Sequence, residues 1–141
     1  MTSMKTLIAY AAALSGAGLA AAAPLTVNVD GIEARGGTLY VGVQAEAQFM
    51  ENAGIAGEMV AAPEAGSRSF TFNLPEGAYA ISIWHDFNAN GQFDMSEADP
   101  PADGWAMING EAMRAAPTFA DASLTLPAAG TATTLKVIYP E

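Results

Sequence analysis

Between Leu25 and Asp30 apolar residues alternate with polar ones: Leu25, Val27 and Val29 share one parity, and Thr26, Asn28 and Asp30 the other. A period of two gives each set its own face of a strand, and Gly31 ends the run. The alternation returns at Leu39, Val41, Val43 and Ala45 after Gly36-Gly37, so residues 25–30 and 38–45 are predicted to pair as a first hairpin. Residues 68–74 give a third strand with Phe70, Phe72 and Leu74 on one face. Pro75-Glu76-Gly77 then turns the chain into a fourth over 78–85, where Tyr79, Ile81 and Ile83 share parity and His85 closes the same side. Residues 120–126 and 133–139 supply two more strands, and 57–61 a seventh.

Helical signals are shorter. Residues 46–53 are predicted to form a brief helix that presents Phe49 and Met50 to the core and stops at Gly54. In 108–116, Asn109 is placed to cap a second one by accepting from an amide near Ala112. Neither is long enough to cover a parallel sheet. The fold class is therefore all-β, an antiparallel β-sandwich with a long acidic loop over 86–116. A loop of that length is usually functional or ordered by something.

The first residues change the count of what folds. Lys5, the apolar stretch from Leu7 to Leu19 and the alanines before Pro24 read as a signal peptide over residues 1–22, with residues 23–141 as one β-sandwich domain. An uncleaved membrane anchor is the alternative, but the Gly- and Ala-rich stretch is weakly hydrophobic and no basic stop-transfer cluster follows it. The mature protein is expected in the periplasm or secreted, with no stable transmembrane span after processing.

Fifteen acids stand against five Lys and Arg, a formal net charge of -10. Too few cations remain to track a phosphate backbone, so nucleic acid is not an expected partner. With no cysteine and one histidine, any metal should be hard and oxygen-bound. The acids are unevenly placed: Asp86, Asp94, Glu97, Asp99 and Asp103 fall within residues 86–103, about twice an even share.

Asp86 to Glu97 fits the calcium-loop spacing D-x-[DN]-x-[DN]-G-x5-E. Calcium takes six to eight oxygens in a flexible shell, available here from Asp86, Asn88, Asn90, the Gln92 carbonyl, Asp94 directly or through water, and both Glu97 oxygens. Gly91 permits the backbone reversal. An aromatic-rich strand before Asp86 and Pro100-Pro101 after Glu97 argue against a helix–loop–helix hand. The competing reading is a metal-free turn, since Asn, Asp and Gly form Asx-turns without a ligand.

Other candidates carry less chemistry. His85 and Asp86 are adjacent on a strand and point to opposite faces, so His85 is expected to bond the loop backbone at the core margin or to orient a ligand, not to act as a base. Trp84 and Trp105 are expected to pack the long loop on the sandwich or to form a binding surface. Ser96 and Ser123 lack a nucleophile-elbow context.

Several segments resemble the bacterial secreted proteins grouped as domain of unknown function family 2141. They are Val29-Asp30-Gly31-Ile32, Phe72-Asn73-Leu74-Pro75-Glu76-Gly77-Ala78-Tyr79-Ala80, and above all His85-Asp86-Phe87-Asn88-Ala89-Asn90-Gly91-Gln92-Phe93-Asp94. Pro101-Ala102-Asp103-Gly104-Trp105 and Pro117-Thr118-Phe119-Ala120-Asp121-Ala122 extend the resemblance along nearly the whole mature chain. It implies an immunoglobulin-like or transthyretin-like sandwich and no particular reaction. The chain departs from the family after Gly104, where Ala106-Met107-Ile108-Asn109 keeps only the last residue of a Phe-Ser-Asn-Asn-like stretch.

The leading function is thus an extracytoplasmic, non-enzymatic β-sandwich, a calcium-supported accessory module or one that binds a protein or small ligand. The alternative is a hydrolase or isomerase using carboxylates of the 86–103 loop, which needs two acids held across a substrate with one pKa raised. Intact-mass analysis of the exported protein should find a chain beginning within a few residues of Ala23; recovery of the full precursor in the membrane would favour the anchor.

Overall fold

A computed structural model of the chain describes residues 21–51, 53–89, 91, 103–112 and 115–139. Of the segment expected to be a signal peptide, residues 1–20 lie outside these residues, as do Asn90, Gln92, Asp94 and Glu97 of the expected acidic loop.

The described residues form eight strands in two sheets that enclose one apolar core. The smaller sheet centres on β1 (Ala22–Ile32), whose alternation buries Ala23, Leu25, Val27 and Val29. On one side β1 pairs antiparallel with β4 (Gly66–Pro75), and on the other parallel with β8 (Thr131–Lys136). The period-two pattern breaks at Gly31 (φ 73°), where the pairing with β4 shifts so that Ile32 is also buried.

The larger sheet centres on β2 (Thr38–Gln44) and β5 (Gly77–Asp86), which pair antiparallel. β3 (Ala56–Ala61) flanks β2. The far edge of β5 is shared by two short strands, β6 (Gly104–Met107) along Ser82 to His85 and β7 (Ser123–Leu126) along Gly77 to Ala80. Leu39, Val41 and Val43 of β2 and Tyr79, Ile81 and Ile83 of β5 face β1 and Phe70, Phe72 and Leu74 of β4 across the core. Burying each large aliphatic side chain contributes about 2 kcal/mol, so core parity sets the register.

Several expectations are corrected. Residues 25–30 and 38–45 are not a hairpin, because β1 and β2 belong to different sheets and Glu33–Gly37 carries the chain between them. Gly36 and Gly37 (φ 76° and 66°) make that crossing tight, and a Cβ on Gly37 would collide with the Asp86 carbonyl. The helix over 46–53 shrinks to a 3-10 turn, Glu46–Gln48. Phe49 then packs edge-on against Phe119, while Met50, held at φ 67°, is 67% exposed instead of in the core.

Asn109 does not cap a helix: it sits at φ 60°, its amide donates to the Asp121 carbonyl, and Ala112 N–H bonds the Asn109 backbone carbonyl. Phe119–Ala122 is one helical turn, α1, capped by Thr118, so the strand predicted from 120 starts at Ser123. The last strand runs Thr131–Lys136, followed by a single bridge between Ile138 and Trp105. β6 interrupts what had read as one long loop. No helix among the described residues is long and apolar enough to cross a membrane.

Ile81 is 1% exposed at the centre of this core. Ile81→Asp should cost about 4 kcal/mol or more, or abolish folding, in a urea titration; parental stability would mean that β5 shows its other face to the core.

Candidate functional site

The parity of β5 divides its last residues between two environments. Tyr79, Ile81 and Ile83 point inward, and at the next inward position the apolar series ends in His85, which is fully buried. A buried imidazole needs partners for both nitrogens. Nε2 meets the Gly36 carbonyl at 2.7 Å and Nδ1 meets the Tyr139 hydroxyl at 2.7 Å. Since a carbonyl only accepts, Nε2 carries the proton, and Nδ1 of the neutral ring accepts from Tyr139. The Tyr139 oxygen in turn accepts the Glu33 amide at 3.0 Å.

One side chain of the larger sheet thus ties together the crossover at Gly36, the residue after β1 and the segment after β8. Gly104 lets Tyr139 approach, because a Cβ there would lie 2.5 Å from its ring. Arg35, paired with Glu33, lies over the Tyr139 and Phe87 rings at 4.6 and 4.9 Å and closes the cluster from outside. His85 therefore bonds backbone at the core margin as expected, but the partner is Gly36 of the crossover and not the acidic loop.

Ser82, Trp84 and Asp86 point the other way, to the outer face of the larger sheet. Asp86 is 3% exposed; its backbone carbonyl accepts from Ala89 N–H and its Oδ2 from Gly91 N–H at 2.8 Å. Gly91 takes the left-handed conformation (φ 75°) expected of the reversal. One step beyond the His85–Gly104 pair, Asp103 lies at the same end of the neighbouring strand, and it too is fully buried. Its Oδ2 accepts from Trp84 Nε1 at 2.7 Å. Two buried carboxylates therefore occupy one end of the β5–β6 pair, and Asp103, not among the expected ligands, joins Asp86 there.

Of those expected ligands, Asp86 and the half-buried Asn88 are described; Asn90, Gln92, Asp94 and Glu97 lie outside the described residues. Among the described residues no three acidic or histidine side chains gather in a metal-binding group.

Below the carboxylates the face is aromatic. Trp84 stacks on Tyr40 of β2 with ring centroids 4.7 Å apart and planes 18° off parallel, and it pairs with Trp105 of β6. Tyr40 pairs in turn with Met59 of β3, which makes one row across four strands. The next row begins small, with Gly57, Gly42 and Ser82, and ends in Met107 of β6. A cavity of about 410 Å³ opens beside Trp84, Trp105 and Phe49, and another of about 430 Å³ beside Tyr40, Gly57 and Met59. Parity in the sequence already put Tyr40 and Trp84 on the polar faces of their strands; only the register could make them neighbours.

A model of the family described as an uncharacterized protein conserved in bacteria (DUF2141) matches residues 27–134, and the chain belongs to that family. No curated protein and no solved structure matches it.

Burial pushes the Tyr139 phenol up from its ordinary value, outweighing the opposite pull of the Glu33 amide, and the hydroxyl stays a donor at neutral pH. Its share of stability is full below about pH 10 and is lost as pH rises through the higher folded value. Tyr139→Phe should cost about 1 kcal/mol at pH 7 and flatten the alkaline fall, and His85→Phe, which leaves the Gly36 carbonyl and Tyr139 hydroxyl without this partner, about 2 kcal/mol. Urea titrations from pH 6 to pH 11 check both; an unchanged midpoint in either variant would contradict the bond scheme.

Proposed function

We propose that the protein is a non-enzymatic binding module of the immunoglobulin-like or transthyretin-like kind, working in the periplasm or after secretion, with an acidic loop held by calcium. The burial of Asp86 and Asp103 together carries the metal reading. Two carboxylates withdrawn from water at one strand end repel each other unless a cation or a proton intervenes.

The residues fit calcium. Asp86 accepts the Gly91 amide, a carboxylate is the hard oxygen donor that calcium prefers, and the turn carries Asn88 beside it. Asn90, the Gln92 carbonyl, Asp94 and Glu97 complete the proposed oxygen set by their spacing. Bound there, calcium would supply charge neutralisation and cross-link the loop to the sheet.

Calcium should stabilise the exported protein, and magnesium, which prefers six short bonds and keeps its waters, should do so far less. For a dissociation constant of about 10⁻⁴ to 10⁻³ M, free calcium at about ten times that value adds about 1.4 kcal/mol. Asp86→Ala and Glu97→Ala should remove most of that increment and Asp103→Asn part of it, whereas Asp121→Ala should keep it. Calorimetric titration and chemical denaturation at matched ionic strength measure it; equal stabilisation by both ions, unaltered by the loop substitutions, would leave a hydrogen-bonded turn without a metal.

A further inference from the structure

The aromatic row and the glycine row beneath the carboxylates form a groove that crosses the larger sheet. Three strand spacings give it a length of about 14 Å. Its wall is the row from Met59 through Tyr40 and Trp84 to Trp105. Its floor is bare over two strands, where Gly57 and Gly42 bring backbone to the surface; Ser82 beside them is exposed, and the half-buried Met107 of β6 closes the row.

The two cavities meet here, because Ser82 and Trp84 line both. Volumes of about 410 and 430 Å³ are in the range of small-molecule sites. Gln44 fixes the opposite bank by donating to the carbonyls of Gln48, Glu51 and Ala53, and Met50 stands exposed on that bank in a left-handed conformation that costs a non-glycine residue energy.

Charge selects the occupant. Glu51 lines the first cavity, and no Lys or Arg among the described residues lines either; Glu58 borders the second but shares the inward parity of Ala56 and Val60, so its side chain leaves from the other face. The chain as a whole carries -10, which draws cations and repels anions. Aromatic rings beside a carboxylate are the chemistry that recognises an organic ammonium, the rings taking the apolar body and sharing the charge.

We infer that the groove binds an elongated organic cation, its apolar body along the floor between Gly57 and Ser82 and its ammonium at the Glu51 rim. This inference stands apart from the calcium reading, because Glu51 does not belong to the acidic loop.

Both tryptophans of the chain belong to the wall, so intrinsic fluorescence reads the groove directly. The exported protein is titrated with dodecyltrimethylammonium below its micelle threshold, beside dodecyl sulfate and dodecyl maltoside at matched ionic strength. The cation should give a saturable change, the maltoside one about tenfold weaker, and the sulfate none. Ser82→Phe fills the point where the cavities meet on an exposed strand position, and should lose the change while keeping the parental melting temperature.

Gly42→Ala is the milder variant, since its Cβ would meet Ser82 alone, Oγ at 3.6 Å and the carbonyl oxygen at 4.0 Å, and it should weaken binding about threefold. Glu51→Gln should weaken the cation about threefold and leave the maltoside unchanged, whereas Glu58→Gln, on the other face, should change neither. Equal or tighter binding of the sulfate or of the maltoside would overturn the inference. So would wild-type affinity in a folded Ser82→Phe or, if that variant does not fold, in Gly42→Ala.

Discussion

The rest of the structure depends on the period-two constraint in β5. This strand pairs with β2 along one edge and with β6 and β7 along the other, so its register fixes four strands at once. A slip of one residue would send Ile81 and Ile83 to solvent and drive Trp84 and Asp86 into the core. Losing the burial of two isoleucines costs about 4 kcal/mol, and burying a carboxylate away from its partners costs more. The core and the candidate site are therefore two faces of one choice.

His85 shows how the choice is held at the strand end, where neighbours thin out. An apolar residue at this inward position would pack, but it would leave the Gly36 carbonyl and the Tyr139 hydroxyl without a bond that the imidazole makes. The ring reaches both only because Gly37 lets the crossover run against the Asp86 backbone and Gly104 lets Tyr139 come close. With His85 fixed inward, Asp86 at the next position faces outward beside Asp103, and Trp84 at the preceding one turns its indole N–H to that same carboxylate. The geometry of the acidic end is thus inherited from the packing on the opposite face.

Much of this was legible in the sequence wherever a residue's neighbours lay along the chain. The alternations at Leu25–Val29, Leu39–Val43 and Tyr79–Ile83 named the inward residues, and Gly91 marked the reversal after Asp86. What escaped depends on pairing between distant segments. β6 has four residues, too few to show a period, so Trp105 read as a loop anchor and Asp103 as one more acid in a run. The Gly36-Gly37 pair signals a turn equally well inside a hairpin and between sheets; only the partners of β1, which are β4 and β8, decide. Helical spacing carried past Gln48 would put Met50 in the core, but the 3-10 turn ends there and the chain turns outward. The aromatic row needs the registers of three strand pairs, none of which a single sequence states.

Because His85 is the one histidine of the chain, its imidazole nitrogens can be followed without ambiguity by long-range ¹⁵N–¹H NMR of the exported protein. The expected spectrum at neutral pH is that of a single neutral tautomer protonated at Nε2, with that proton slow to exchange and Nδ1 shifted as an acceptor. An Nδ1-protonated ring, or a rapidly exchanging mixture of tautomers, would contradict the bond to Gly36, and with it the claim that the inward parity of β5 ends in a clamp between the two sheets.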